Sequence, residues 1–194
     1  MVSFTLDTNC LIDLDEEGRL NKAHVRDLVE LARSGGIEVS ILASSASEKQ
    51  IDGTHLDTIN AFKDRLTKLE LDHLDLLPPI ARMNLSFYGF AIYPSEEQMK
   101  REQKIFETLF PECPFEWLEF ADSNEIDPDD LASGKAWKWR NRMCDAQAYW
   151  AHEYKGNNHF VTSDANFRKK LTAEAGFPDA SILTPSEAAN MASE

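Results

Sequence analysis

Residues 3–14, SFTLDTNCLIDL, decide the reading of the fold. Phe4 and Leu6 form a short apolar strand that ends at Asp7, Thr8 and Asn9. Leu11, Ile12 and Leu14 resume the apolar content behind the turn, which predicts strand, turn and then helix. The same order returns far along the chain. His159–Thr162 predicts a strand closing at Ser163-Asp164, Phe167–Ala175 a helix stopped by Gly176, and Ile182-Leu183 a last strand. Thr184-Pro185-Ser186-Glu187 then caps a final helix, with threonine at the N-cap and glutamate at N3.

Working inward, His24–Arg33 repeats its apolar positions Val25, Leu28, Val29 and Ala32 at helical spacing, and Gly35-Gly36 supplies the stop. Ile37–Leu42 is a second strand. Ser45–Glu48 has the S-x-x-E form of a capping box opening a helix that Gly53 interrupts, and Ile59, Phe62, Leu66 and Leu69 mark a further helical face. From Lys135 a long helical pattern runs through Met143, Ala146, Tyr149, Trp150 and Tyr154 to Gly156. Alternating β-α-β-α at both ends predicts an α/β fold with a parallel sheet covered by helices on both faces.

Between about Leu71 and Gly134 that alternation is lost, and this stretch reads as an insertion of mixed helical and irregular character. Leu85–Tyr93 predicts an extended segment, Ser95–Phe110 a helix, and Pro111, Pro114 and Pro128 an acidic loop. The 194 residues are expected to form one domain over 1–194 with this insertion inside it. Of the net charge of -14, the stretch from Pro94 to Asp130 supplies -9, from 12 acidic and 3 basic residues, which disfavours a polyanionic partner there unless cations intervene. Apolar runs are too short to cross a bilayer, and MVSFTLDTNCL lacks a basic leader, so a cytoplasmic protein with no membrane partner is expected. Cys10, Cys113 and Cys144 are too few and too scattered for a disulfide framework, which points to free thiols.

In an open parallel sheet, ligands bind beyond the carboxyl ends of the strands. Asp7 and Asp164 close two such strands, Glu48 stands at a strand-to-helix junction, and Asp145 lies mid-helix with apolar neighbours. Carboxylates gathered within a few ångströms raise one another's pKa unless a cation neutralises them. Oxygen-only donors suit Mg²⁺ or Mn²⁺, whose usual company is a substrate phosphate. Such an ion activates water, and the chemistry reached is phosphodiester hydrolysis.

These motifs resemble, in order, those of the PIN-domain nucleases: LDTN with Asp7, the junction with Glu48, helical Asp145 before small and apolar residues, and VTSDANF with Asp164. SILTPSEAANM is similar to that family's last strand and helix. The resemblance covers roughly the first third and the final quarter of the chain. It implies a Rossmann-like three-layer α/β/α sandwich with a central parallel sheet and a metal-dependent endoribonuclease, often the toxin of a toxin-antitoxin pair, with Asp7, Glu48, Asp145 and Asp164 as metal-binding catalytic acids and Asn9 orienting the site. The partners implied are an RNA substrate, an antitoxin or other protein, and a second copy in a homodimer. Asn166 stands where many members carry another acid. The rival reading is a catalytically silent PIN-like module that binds RNA or a protein, and a phosphatase of the haloacid dehalogenase kind is a distant third, since the second acid of its D-x-D would fall at Asn9.

Blander roles compete for several residues. Glu48 is explained equally by its capping box, Asp164 also suits a helix cap, Asp13 and Asp15 read as solvated, and His152 reads as a satisfied core histidine. Trp137, Lys138 and Arg142 suit base stacking and phosphate contact, and Lys138 and Arg142 share the helical face of Asp145. The competing reading, slightly favoured, packs Trp137 and Trp139 on the insertion while the cations pair with its acids.

Overall fold

The computed structural model describes residues 1–43, 58–83, 85–87, 89–174 and 176–193. Five strands, β1 (Ser3–Leu6), β2 (Glu38–Leu42), β3 (Asp75–Leu77), β4 (His159–Val161) and β5 (Ile182–Leu183), form one sheet in the order β3-β2-β1-β4-β5. Every pairing is parallel, with Phe4 opposite Val39 on one side and His159 on the other. Eight helices complete the described fold: α1 (Thr8–Asp15), α2 (Lys22–Arg33), α3 (Ile59–Lys68), α4 (Glu96–Leu109), α5 (Trp117–Ser123), α6 (Gly134–Lys155), α7 (Ala165–Leu171) and α8 (Pro185–Ala192).

Strand side chains alternate between two apolar layers, as a period of two requires. Phe4, Leu6, Val39, Ile41 and Val161 pack with Val25, Leu28 and Val29 of α2, Phe62 and Leu66 of α3 and Ala188 of α8. Leu42, Leu77, Phe160 and Ile182 face the other way, onto α4, α6 and α7. The sheet is thus the middle layer of an α/β/α sandwich. Phe160 anchors the second layer, with the rings of Tyr149, Phe167 and His152 centred 5.4, 5.1 and 5.5 Å away.

Local signals explain the helix ends. Gly156 closes α6 in the left-handed conformation at φ +78°, Ser95 and Gln98 form the capping box of α4, and Thr184 and Glu187 that of α8. Three features depart from the sequence reading. Asp75–Leu77 pairs in parallel with β2, so the insertion begins after Leu77 rather than at Leu71. The 85–93 stretch makes only isolated bridges, Phe87 with Phe90 and Ile80 with Ile92, and the acidic loop contains α5. α7 ends at Leu171, not Ala175.

The insertion has no separate core. Ile105, Phe106, Leu109, Phe115 and Phe120 belong to the same buried cluster as Tyr149 and Phe160. It is fastened by a buried polar knot: Arg82 grips fully buried Glu102 through Nε at 3.0 Å and Nη2 at 2.8 Å, and Gln147 Nε2 donates to Glu102 at 2.9 Å and to the Ile80 carbonyl at 3.2 Å.

Candidate functional site

β1 continues to β2 on one side while β4 lies on the other, so the strand order reverses between β1 and β4. Such a switch point opens a crevice at the carboxyl ends of the strands. Asp7 follows β1 and Asp164 follows β4, which brings both acids to that crevice.

Asp7 is buried and N-caps α1. Its Oδ1 accepts from the Thr8 amide at 2.8 Å, and its Oδ2 accepts from Asn9 Nδ2 at 2.6 Å and Thr162 Oγ1 at 2.7 Å. A carboxylate offers about four lone-pair directions, so these three donors leave one on Oδ1. Burial pushes the carboxyl from its ordinary 3.8 up to about 6, the three donors pull it back, and the charge of Asp164 adds to the rise.

Thr162 is the hub. Its Oγ1 donates to Asp7 and accepts from Asn9 Nδ2 at 2.7 Å and the Asp164 amide at 3.0 Å. Asn9 reaches across the crevice, its Oδ1 accepting from the Ser163 amide and hydroxyl, both at 3.1 Å. The turns after β1 and β4 are therefore tied by side chains as well as by the sheet. Asp164 is exposed and N-caps α7, with Oδ1 accepting from the Asn166 amide at 2.8 Å, so its cap role and its place beside Asp7 coexist. The sequence reading passed over Thr162, because a β-branched residue in an apolar run reads as a strand former.

α6 precedes β4 through a short turn and so runs antiparallel to the strands. Its register is fixed where His152 Nδ1 meets Thr5 Oγ1 at 3.0 Å. Asp145 stands two turns earlier on the same helical face, about 10 Å along α6 from His152. Asp145 is half-buried there. Glu48 lies outside the described residues, as does the capping box read around it. Among the described residues, no three of His, Cys, Asp and Glu converge to hold a metal ion. One or two carboxylates with waters and substrate phosphate are a common way of holding Mg²⁺, and the crevice offers two in Asp7 and Asp164.

Other expectations resolve simply. His152 is buried with its Thr5 partner, and burial lowers its pKa from 6.5 to about 4. Asp13 is buried, not solvated, and accepts from Asn21 Nδ2 at 3.1 Å, whereas Asp15 is exposed and pairs with Arg65. The three cysteines are buried and none is joined in a disulfide. Lys138 is exposed on α6, and Arg142 is half-buried with its guanidinium 5.7 Å from the Phe110 ring centre. Trp137 lies under Arg140 at 4.4 Å, and Trp139 is buried with Nε1 donating to the Pro114 carbonyl at 3.1 Å. Trp139 therefore packs on the insertion, yet among the described residues Lys138, Arg140 and Arg142 form no ion pair with its acids.

No protein-family model matches the chain, and no curated protein matches it.

Proposed function

We propose that this chain is a divalent-metal-dependent nuclease of the PIN-like kind, an endoribonuclease that hydrolyses RNA phosphodiester bonds. The observation that carries the reading is Asp7. A carboxylate is buried at the switch point of a parallel sheet, surrounded by donors that favour its charged form, and left with one lone-pair direction open beside a second carboxylate. A structural cap needs only one acceptor bond and gains nothing from burial beside a like charge.

The donor set is hard oxygen only, which fits Mg²⁺ or Mn²⁺. Asp7 and Asp164 would hold the ion, and Asp145 and Glu48 would complete the acid set that the family resemblance implies. Bound there, the ion would supply Lewis acidity and an activated water. Asn9 and Thr162 fix the Asp7 carboxylate so that it need not reorganise. Lys138, Arg142 and Trp137 are proposed to guide the RNA along α6 toward Asp145. On this reading the protein works in the cytoplasm, and an antitoxin or other protein partner, or a second copy, would restrain it.

The rival, a silent PIN-like module that binds RNA or protein, draws support from the absence of a three-acid cluster among the described residues. The deciding experiment is cleavage of labelled single-stranded and hairpin RNAs with Mg²⁺ or Mn²⁺ by the wild type, Asp7→Asn and Asp164→Asn. Cleavage abolished by EDTA and by both substitutions supports the nuclease. A folded wild type that binds metal and cleaves none of them leaves the module.

A further inference from the structure

A cavity of about 380 Å³ opens between the start of α5, the first turns of α6 and the segment around Leu85. Leu85, Trp117, Leu131 and Trp139 give it apolar walls, and Glu116 and Arg140 bring charge to it. The volume is at the small end of the roughly 300–1,000 Å³ typical of ligand pockets. The aromatic walls are held in place. Trp117 Nε1 donates to the Pro128 carbonyl at 3.0 Å, Trp139 Nε1 to the Pro114 carbonyl, and the two rings meet at 5.5 Å and 57°.

Arg140 is the anomaly. Arg19, Arg33, Arg65, Arg82, Arg101 and Arg168 each pair with a carboxylate, whereas among the described residues the half-buried Arg26, Arg140 and Arg142 have no such pair, and of these three Arg140 lines the cavity. Its Nε is buried with no hydrogen-bond acceptor among the described residues. A buried donor left unsatisfied is disfavoured by about 1–3 kcal/mol, so a site that keeps one is poised for an acceptor from outside. With its guanidinium already stacked on Trp137, the fork is oriented and gives up little freedom on binding.

We propose that this cavity binds a small monoanion with a flat apolar body, of the arylcarboxylate class, its two oxygens seated on Arg140 and its ring against Trp117 and Trp139. Arg140 donates through its planar fork, which matches a carboxylate. Arg82, also at the cavity, is already engaged by Glu102 and adds no second anchor. Glu116 at the rim and the acidic stretch from Pro94 to Asp130 repel any ligand of higher negative charge. A polyanion such as RNA is disfavoured here for the same reason, so the site is separate from the crevice at Asp7.

The test is a titration of the full-length chain with 2-naphthoate, followed on the indole N–H signals of its four tryptophans. The Trp117 and Trp139 signals should shift saturably while that of Trp150, stacked on Tyr154 on another part of α6, stays still. The neutral analogue 2-naphthylmethanol, and Arg140→Gln with 2-naphthoate, should each bind roughly tenfold or more weakly, the loss of one charge-assisted hydrogen-bond pair. Glu116→Gln, at an exposed position whose side chain makes no capping bond to α5, should bind 2-naphthoate at least as tightly as wild type. Adenosine 5′-monophosphate, a dianion, should bind more weakly than 2-naphthoate. Absence of saturable shifts in the wild type, equal affinity for the neutral alcohol, or tighter binding of the nucleotide would each overturn the proposal. No arm uses metal or RNA, so the result stands apart from the nuclease reading.

Discussion

Thr162 Oγ1 lies 2.7 Å from Asp7 Oδ2 and donates to it, although the two residues stand 155 positions apart in the chain. That one hydroxyl joins the ends of the two strands that flank the switch point. Because it also accepts from Asn9 and from the Asp164 amide, the position of both acids depends on it.

Thr162→Val keeps the shape and removes the hydroxyl. The Asn9 amide loses one acceptor, the Asp164 amide loses its bond, and Asp7 loses the strongest of the hydrogen bonds that hold its pKa down. Stability should fall by about 1–3 kcal/mol in urea denaturation, and the Asp7 carboxyl should titrate above about 6 by carboxyl-carbon NMR. Thr162→Ser should restore both. A valine variant as stable as wild type would mean that the hydroxyl network is hydrated and contributes little.

Two buried groups give the folded state opposite responses to pH. Asp7 keeps its proton up to about 6 when folded but only to 3.8 when unfolded, so its stabilising contribution is complete below 3.8 and is lost as pH rises to about 6. His152 binds a proton near 6.5 when unfolded and only near 4 when folded, so its contribution is complete above 6.5 and is lost as pH falls to about 4. Each amounts to something on the order of 3 kcal/mol, and they nearly cancel between pH 4 and 6.5. Wild-type stability should be nearly flat there apart from the exposed groups. Asp7→Asn should unmask a rise with pH and His152→Gln a fall, measured as urea midpoints from pH 4 to 7. Parallel profiles for all three proteins would refute the assignment.

Most of the fold was legible because its strands are short apolar runs followed at once by capping residues, as at Leu6-Asp7 and Leu183-Thr184. β3 escaped because three residues, Asp75–Leu77, carry too little alternation to signal a strand, and Pro78-Pro79 behind them reads as loop. Only the sheet edge offered by β2 makes it one. At the site, Asp7 and Asp164 were visible from their places at strand ends, and Asn9 only through the family resemblance. Thr162 and Glu102 were not, since their roles come from partners far away in sequence. Glu102 reads as one acid among twelve in an acidic stretch, and it is buried by Arg82 and Gln147, 20 and 45 residues away.

Divalent ions should raise the thermal midpoint if Asp7 and Asp164 hold them, because a ligand bound only by the folded state stabilises by RT ln(1 + [L]/Kd). At a hundredfold excess over Kd that is about 2.7 kcal/mol. Proton and cation compete for Asp7, so the shift with Mg²⁺ or Mn²⁺ should be larger at pH 7.5 than at pH 5, below the value of about 6. Asp7→Asn should abolish it. A midpoint unmoved by millimolar ion at pH 7.5 would count against the metal site, whatever RNA the protein binds.

The Arg82–Glu102 pair shows how the insertion is held, and its energetics differ from those of the exposed ion pairs. Glu102 is fully buried, and Arg82 also lies 4.5 Å over the Phe115 ring. Lys100–Glu96, solvated on both sides, should be worth less than about 1 kcal/mol. Arg82→Met would leave a buried carboxylate with only the Gln147 amide, a loss of about 3–5 kcal/mol. Replacing both, as Arg82→Met with Glu102→Leu, removes the stranded charge along with its partner, so the double variant should be more stable than Arg82→Met alone. A double-mutant cycle in urea measures that coupling. Since the knot lies in the layer of α4 and α6 and not at the turns carrying Asp7 and Thr162, metal-dependent stabilisation should survive in the double variant at 25 °C. Its loss would mean that the insertion sets the position of Asp145 through α6.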